Sequence, residues 1–456
     1  MLTATLNDGH TMPLFGLGTA TGAAAAQAAG EALASGEPSP VSEEVKAAVK
    51  EAIACGYRHI DTAYVYGVEA SIGAALREVF GEGTIRREEL FVTTKLFNSH
   101  HAAADVEPAC HRSLAILGLD YVDMYLMHWP YAFQNVVQDV GEVLFPRGTD
   151  GELLYAPEIT PLETWLAMEK LVALGLCRSI GVSNMNEAQL EQLCHAPATI
   201  KPAVNQVECH PYCAQSPLRS KCAEHGVVLT AYSPLGGPSW TSIGDGLLDD
   251  PAIAAIAAHH SKTTAQVILR WQLQRGVCCI PKSVTPARIA GNIAVVDFEL
   301  TDAEMGVVDG FDCNWRAAVP SVERADGRPY SRDIEYADQL HLPAAIRSHI
   351  ILWSDCVRVC INCCTRCRTV TQTFHGQSFA TSLSMSRRPR KHQQRCEIFS
   401  RSRVQMLKPS LHFYSFGVCV PLPLLGPSAS ACIAPRNSSR NSASSAANAT
   451  CIFSSF

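Results

Sequence analysis

Gly56-Tyr57-Arg58-His59-Ile60-Asp61-Thr62-Ala63-Tyr64-Val65-Tyr66-Gly67 is a short apolar strand running into a polar turn. It puts an aspartate at the strand end and a tyrosine five residues on. Two later strands also finish in ionisable side chains, Phe91-Val92-Thr93-Thr94-Lys95 and Val122-Asp123-Met124-Tyr125-Leu126-Met127-His128. Successive apolar strands ending in such groups place one site at one end of a parallel sheet.

Outward from that stretch, strands and helices alternate. A hairpin is expected over 3–13, turning at Asn7-Asp8-Gly9. Strands are expected over 14–19, up to Asp61, 91–95, 122–128, 178–183, 203–208, 227–232 and 276–281. Helices are expected from Ser42, over 69–80, 105–117 and 161–174, from Glu187, over 217–224, 250–259 and 264–274, and from Pro286. Residues 21–40 are rich in Ala, Gly and Ser and read as an inserted loop; 131–160 read as a long Gly- and Pro-rich connection. Eight such units fit a closed (β/α)8 TIM barrel of the α/β class, with its site at the C-terminal strand ends. An open doubly wound sheet would need a glycine fingerprint leading straight into a helix. Gly16-x-Gly18 lacks the third glycine and runs into the insertion instead.

The chain has 456 residues and a net charge of -6, which gives no reason to expect a nucleic-acid partner. That charge is unevenly spread: 15 of the 37 Lys and Arg, but 5 of the 43 acidic residues, follow Ser331. The N-terminus lacks the charged and apolar regions of a secretory signal, and no apolar run reaches the ~18 residues of a membrane helix. The cytoplasm is the expected compartment, with no membrane partner. Of 19 Cys, ten are scattered through the first part, often in apolar strands, and read as buried reduced thiols.

Taken singly, Asp61 reads as a turn former, Tyr66 as a loop aromatic, Lys95 as a solvated strand end and His128 as a core histidine. Barrel geometry converges all four on one pocket. A phenol with a pKa near ~10 is a poor acid at neutral pH, and an adjacent ammonium is expected to lower that pKa. A carboxylate keeps the lysine charged and oriented; an imidazole directs a substrate oxygen. This is an acid–base set for a carbonyl, with no nucleophile or metal ligand set, so hydride must come from a cofactor.

Three separated blocks carry a resemblance to the aldo-keto reductase family. Gly56 to Gly73, GYRHIDTAYVYGVEASIG, resembles the family's first signature. Ile180-Gly181-Val182-Ser183-Asn184 resembles the second, with Met185 where an aromatic is usual. Ile280-Pro281-Lys282-Ser283-Val284-Thr285, with Arg288 and Asn292, resembles the third. The resemblance covers about residues 3–330 and implies roles. Tyr66 would donate the proton, Asp61 and Lys95 would tune it, and His128 would orient the carbonyl. Ser183, Asn184 and Gln206 would hold the nicotinamide carboxamide, and Tyr232 would stack on its ring. Gly18, Thr19, Ser233, Leu235, Lys282, Ser283, Val284, Thr285, Arg288 and Asn292 would contact the rest of the dinucleotide. Trp129, with His128, would line the substrate pocket; Ala20 stands where many relatives have tryptophan. The pair Lys282 and Arg288 favours NADPH over NADH.

The expected function is NADPH-dependent reduction of aldehydes or ketones, aldoses among them, by a monomer. The alternative is a non-catalytic NADPH-binding regulatory protein on the same barrel. Cys209-His210 read as strand-end packing and His259-His260 as a solvated helix end. The barrel is expected to span 1–333. Residues 334–456, rich in Cys, Arg and Ser, are expected to form a disordered tail, whose Cys spacing fits no common zinc pattern.

Overall fold

The computed structural model describes residues 2–20, 41–138, 141–237, 246–318, 398–402 and 415–419. Two compact units divide the chain, Met1–Pro343 and Ala344–Phe456. In the first, a hairpin of β1 (Thr3–Thr5) and β2 (Thr11–Pro13) precedes the barrel. The barrel strands are β3 (Leu17–Gly18), β4 (His59–Asp61), β5 (Phe91–Leu96), β6 (Val122–Met127), β9 (Cys177–Ser183), β10 (Val204–Glu208), β11 (Val228–Tyr232) and β12 (Cys278–Cys279). They lie in that order and every pairing is parallel. Closure comes from the two ends of the sheet: Gly16 N donates to Cys279 O at 3.0 Å, and Cys279 N to Leu14 O at 3.0 Å.

Helices cover the outside, α2 (Glu69–Gly81), α4 (Pro161–Ala173), α5 (Glu187–Cys194) and α6 (Ser216–Glu224) among them, so the strands are buried on both faces and read as apolar runs. All six residues of β5 and of β6 are buried. Local chemistry sets the helix limits. In α1 (Glu43–Ala54), the Ser42 side chain caps the Val45 amide and two glutamates occupy the first turn. The helix Ala103–Leu117, α3, ends at Gly118 with φ 69°, a left-handed residue that glycine adopts without a steric penalty. Gly18 meets a different demand. A Cβ there would sit 2.5 Å from Ile280 O, so only glycine lets β3 approach β12 this closely.

The connection 131–160 departs from expectation. It holds a second hairpin, β7 (Val136–Gln138) with β8 (Gly141–Val143), and its Phe133, Leu144 and Leu153 pack on Tyr64, Val65 and Phe97. The Gly and Pro content marked turns but did not show that its aromatic residues bury a core of their own. Among the described residues no helix is long and apolar enough to cross a membrane. The ten cysteines of the first unit are all free thiols.

The second unit is described by an antiparallel pair, β13 (Ile398–Ser402) with β14 (Ser415–Cys419). These are β-prone segments within the stretch expected to be disordered. The rest of that expectation, the tail cysteine run and the insertion 21–40 all lie outside the described residues.

Candidate active site

The three ionisable strand ends meet in one layer. Asp61 closes β4, Lys95 is the fifth residue of β5 and His128 follows β6; in register, Gly18 pairs with Asp61 and Lys95 with Leu126. All three are buried. Lys95 Nζ donates to Asp61 Oδ1 at 2.6 Å and to Thr62 O at 2.8 Å. Gln206 Nε2 donates to the other carboxylate oxygen at 2.6 Å. Tyr66 ends a 3-10 turn, Tyr64–Tyr66, stopped by Gly67 at φ 65°. That turn swings its ring over the lysine, 5.1 Å from Nζ to the centroid, and edge-on to His128 at 5.7 Å.

The electrostatics differ from expectation at Tyr66. Burial raises its pKa and Asp61 adds to this; Lys95 pulls the other way, and the net shift is upward. The ammonium moderates the phenol rather than turning it into a strong acid, because a phenolate here must also lose its water. Burial pulls Lys95 down, but the Asp61 carboxylate and the Tyr66 hydroxyl beside it more than offset this, so the lysine stays cationic. His128 is held well below the usual histidine range, first by burial and then by Lys95 and His101. Its imidazole is therefore neutral at physiological pH, and it packs edge-on to Phe97 and stacks on Trp129.

The positions expected to hold a nicotinamide form one connected group on neighbouring strands. Ser183 Oγ donates to Gln206 O at 2.7 Å, and Asn184 Nδ2 to His128 O at 2.9 Å. Tyr232 donates its hydroxyl to Asn184 Oδ1 at 2.9 Å. Asn184 and Ser233 sit at φ 61° and 46°, strained for residues with a Cβ. Thr19 Oγ1 donates to Asp61 O at 2.9 Å, which ties β3 to the same layer.

Ser283 caps the turn before α9 (Pro286–Ile293) by accepting from Thr285 N at 3.1 Å. Ser283 and Asn292 are buried, Val284 and Leu235 half-buried, and Thr285 exposed. Lys282 and Arg288 are exposed beside this helix N-terminus, and neither has a carboxylate partner among the described residues. Unpaired cations at a helix N-terminus suit a polyanion.

The sequence profile of the Aldo/keto reductase family matches residues 29–312. The chain belongs to this family. It is similar to aldo-keto reductase family 1 member A1-A of Danio rerio, 46% identical over 338 residues, covering 73% of this chain and 96% of the relative. It is 47% identical to the Gallus gallus member A1 over 333 residues, 72% and 94% of the two chains. A crystal structure of a Bombyx mori aldo-keto reductase in complex with NADP matches with TM-score 0.58 and 39% identity, over 69% of this chain and 94% of that one. As an aldo-keto reductase, the protein is an oxidoreductase, and its fold is the (β/α)8 barrel of the family.

Three features of this aldo-keto reductase escaped the sequence. The Tyr131, Phe133 and Tyr155 rings, at 5.2–5.6 Å from one another, extend the aromatic wall beyond Trp129. The alternation of aromatics through 131–155 was the available signal. Next, His210 is not simple packing: its ring lies 2.7 Å from Glu208, whose carboxylate also accepts from the amides of Ala317 and Ala318.

Glu69 is the third. It is buried against β5, accepting from the Thr94 hydroxyl at 2.6 Å, next to Lys95 in the chain. Burial pushes its pKa up to about 7, the Thr94 hydrogen bond only partly opposing this. The folded value lies above the unfolded ~4.3, so this carboxyl's contribution to stability is full below ~4.3 and is lost as pH rises through 7. Glu69→Gln is expected to flatten that slope and to be more stable than wild type at pH 8, by on the order of 3 kcal/mol. Urea midpoints from pH 5 to 8 check this; parallel pH profiles would contradict it.

Proposed function

We propose that this protein reduces aldehydes to alcohols with NADPH, using Tyr66, Lys95, Asp61 and His128. The observation that carries the reading is the buried Lys95–Asp61 pair, which faces the Tyr66 ring beside a neutral His128. A carbonyl oxygen bound between Tyr66 and His128 accepts a hydrogen bond from the imidazole, which fixes its direction without adding a charge. Tyr66 passes its proton to that oxygen as negative charge develops there. The phenolate left behind faces the Lys95 ammonium, which Asp61 and the Thr62 carbonyl hold in place. Ser183, Asn184, Gln206 and Tyr232 would hold the nicotinamide, and the chemistry it would supply when bound is hydride for the carbonyl carbon. Trp129 and the rings of the 131–155 connection exclude water from this pocket.

Gly18, Thr19, Ser233, Leu235, Ser283, Val284, Thr285 and Asn292 lie along the remaining dinucleotide path. Lys282 and Arg288 select the 2′-phosphate. Replacing both with alanine is expected to raise KM for NADPH by about 10- to 100-fold, the equivalent of ~1.5–3 kcal/mol for a charged hydrogen bond, with little change for NADH. Initial rates with each cofactor measure this; equal losses for both would remove these residues from phosphate recognition. Consumption of NADPH over a panel of aldehydes tests the activity, and no turnover with any member would favour the binding-only alternative. The reductase barrel is assigned to 1–333, with 334–456 as an appendage, in a cytoplasmic monomer acting on small carbonyl compounds.

A further inference from the structure

We propose that His259, His260 and Glu304 form a zinc site on the outside of the barrel, separate from the Tyr66, Asp61, Lys95 and His128 set. His259 ends α7 (Pro251–His259) and His260 is its C-cap; Glu304 lies in the first turn of α10 (Asp302–Asp309). One ligand atom from each of the three lies within 4.8 Å of the others. Glu304 Oε1 is 2.9 Å from His259 Nδ1 and 3.0 Å from His260 Nε2. A tetrahedral Zn2+ with bonds of ~2.0–2.1 Å spaces its donors at about 3.3 Å, close to the distance of each histidine from the carboxylate.

Three further observations favour a metal over a bare hydrogen-bonded cluster. The carboxylate is already oriented: Thr301 donates from N at 2.8 Å and from Oγ1 at 2.9 Å to Glu304 Oε2, while Oε1 lies against both histidines and His260 Nε2 is also 3.0 Å from Oε2. Such outer hydrogen bonds hold a ligating carboxylate in place. No lysine or arginine competes for Glu304 among the described residues; the nearby Lys262 is bound to Asp297 at 2.6 Å. By contrast, Glu191 with His195 and His225 is also engaged by Lys221 at 3.1 Å, which holds the cation's place there. Finally, the two histidines stand at the C-terminus of α7, where the helix dipole favours a positive charge. Each imidazole offers its lone pair by carrying its proton on the other ring nitrogen, and water takes the fourth position. The ion would tie α7 to α10, the two helices that flank α8 (Thr264–Gln274) in one apolar cluster.

The test uses the full chain stripped with EDTA and titrated with Co2+ as the spectroscopic substitute for Zn2+. Wild type is expected to bind one more equivalent than His259→Ala. That equivalent should show visible ligand-field bands without the near-ultraviolet thiolate charge-transfer band that cysteine sites would give. His259 is exposed, so its alanine variant leaves the packed side of α7 intact. Equal stoichiometry, or an extra equivalent carrying the thiolate band, overturns the site. In wild type alone, Zn2+ is expected to raise Tm and to protect His259 from diethylpyrocarbonate. Modification of His259 at the same rate with and without Zn2+ overturns it equally.

Discussion

Tyr66→Phe is expected to lower kcat for aldehyde reduction by about 100- to 10,000-fold, the range attributed to a positioned general acid. The ring contact with His128 survives the change, and so does the Lys95–Asp61 pair, because neither uses the hydroxyl. NADPH binding should therefore be nearly unaltered. Stopped-flow single turnovers and fluorescence titration separate the two quantities. Undiminished turnover would remove Tyr66 from the reaction. The upward shift of the Tyr66 pKa sharpens the expectation. A phenol kept protonated by burial is present in its donor form across the physiological range, with Lys95 limiting the penalty of the phenolate.

Lys95→Met should be the most destabilising single change in the site. It leaves Asp61 buried at 2% exposure, with Gln206 its remaining side-chain donor. Breaking a buried pair by removing one partner costs about 3–5 kcal/mol. Urea unfolding at pH 7 measures it. The double variant Lys95→Met with Asp61→Asn removes both charges and should recover most of that stability while remaining inactive. A double variant as unstable as the single one would contradict the ion-pair account. The pH dependence has a defined sign. The folded Lys95 pKa is raised, so this lysine's contribution to stability is full below ~10.5, the ordinary lysine value, and is lost as pH climbs through the folded value above it.

The dimension most legible in the sequence was the succession of elements. Strands such as 91–95 and 122–128 announce themselves because a strand covered on both faces must be apolar throughout. Helix limits were equally local: Ser42, Asp250 and Thr263 each cap the helix that follows them, and Gly118 ends α3. The hairpin at 136–143 was missed because turn-forming residues advertise loops of every kind. What made this one a packed unit is contact with Tyr64, Val65 and Phe97, residues distant in sequence.

The order of the eight strands and the ionisable residues Asp61, Lys95 and His128 at three of their ends were thus determined by the sequence alone, since periodicity and turn chemistry act over a few neighbours. Tertiary structure alone decided three things. It closed the barrel through Leu14, Gly16 and Cys279, some 260 residues apart in a chain whose ends carry no local mark of their partner. It set the direction of the Tyr66, Glu69 and His128 pKa shifts, because desolvation depends on what packs around a group and not on what precedes it. And it brought Glu304 to His259 and His260 at the end of α7, setting three donor groups side by side.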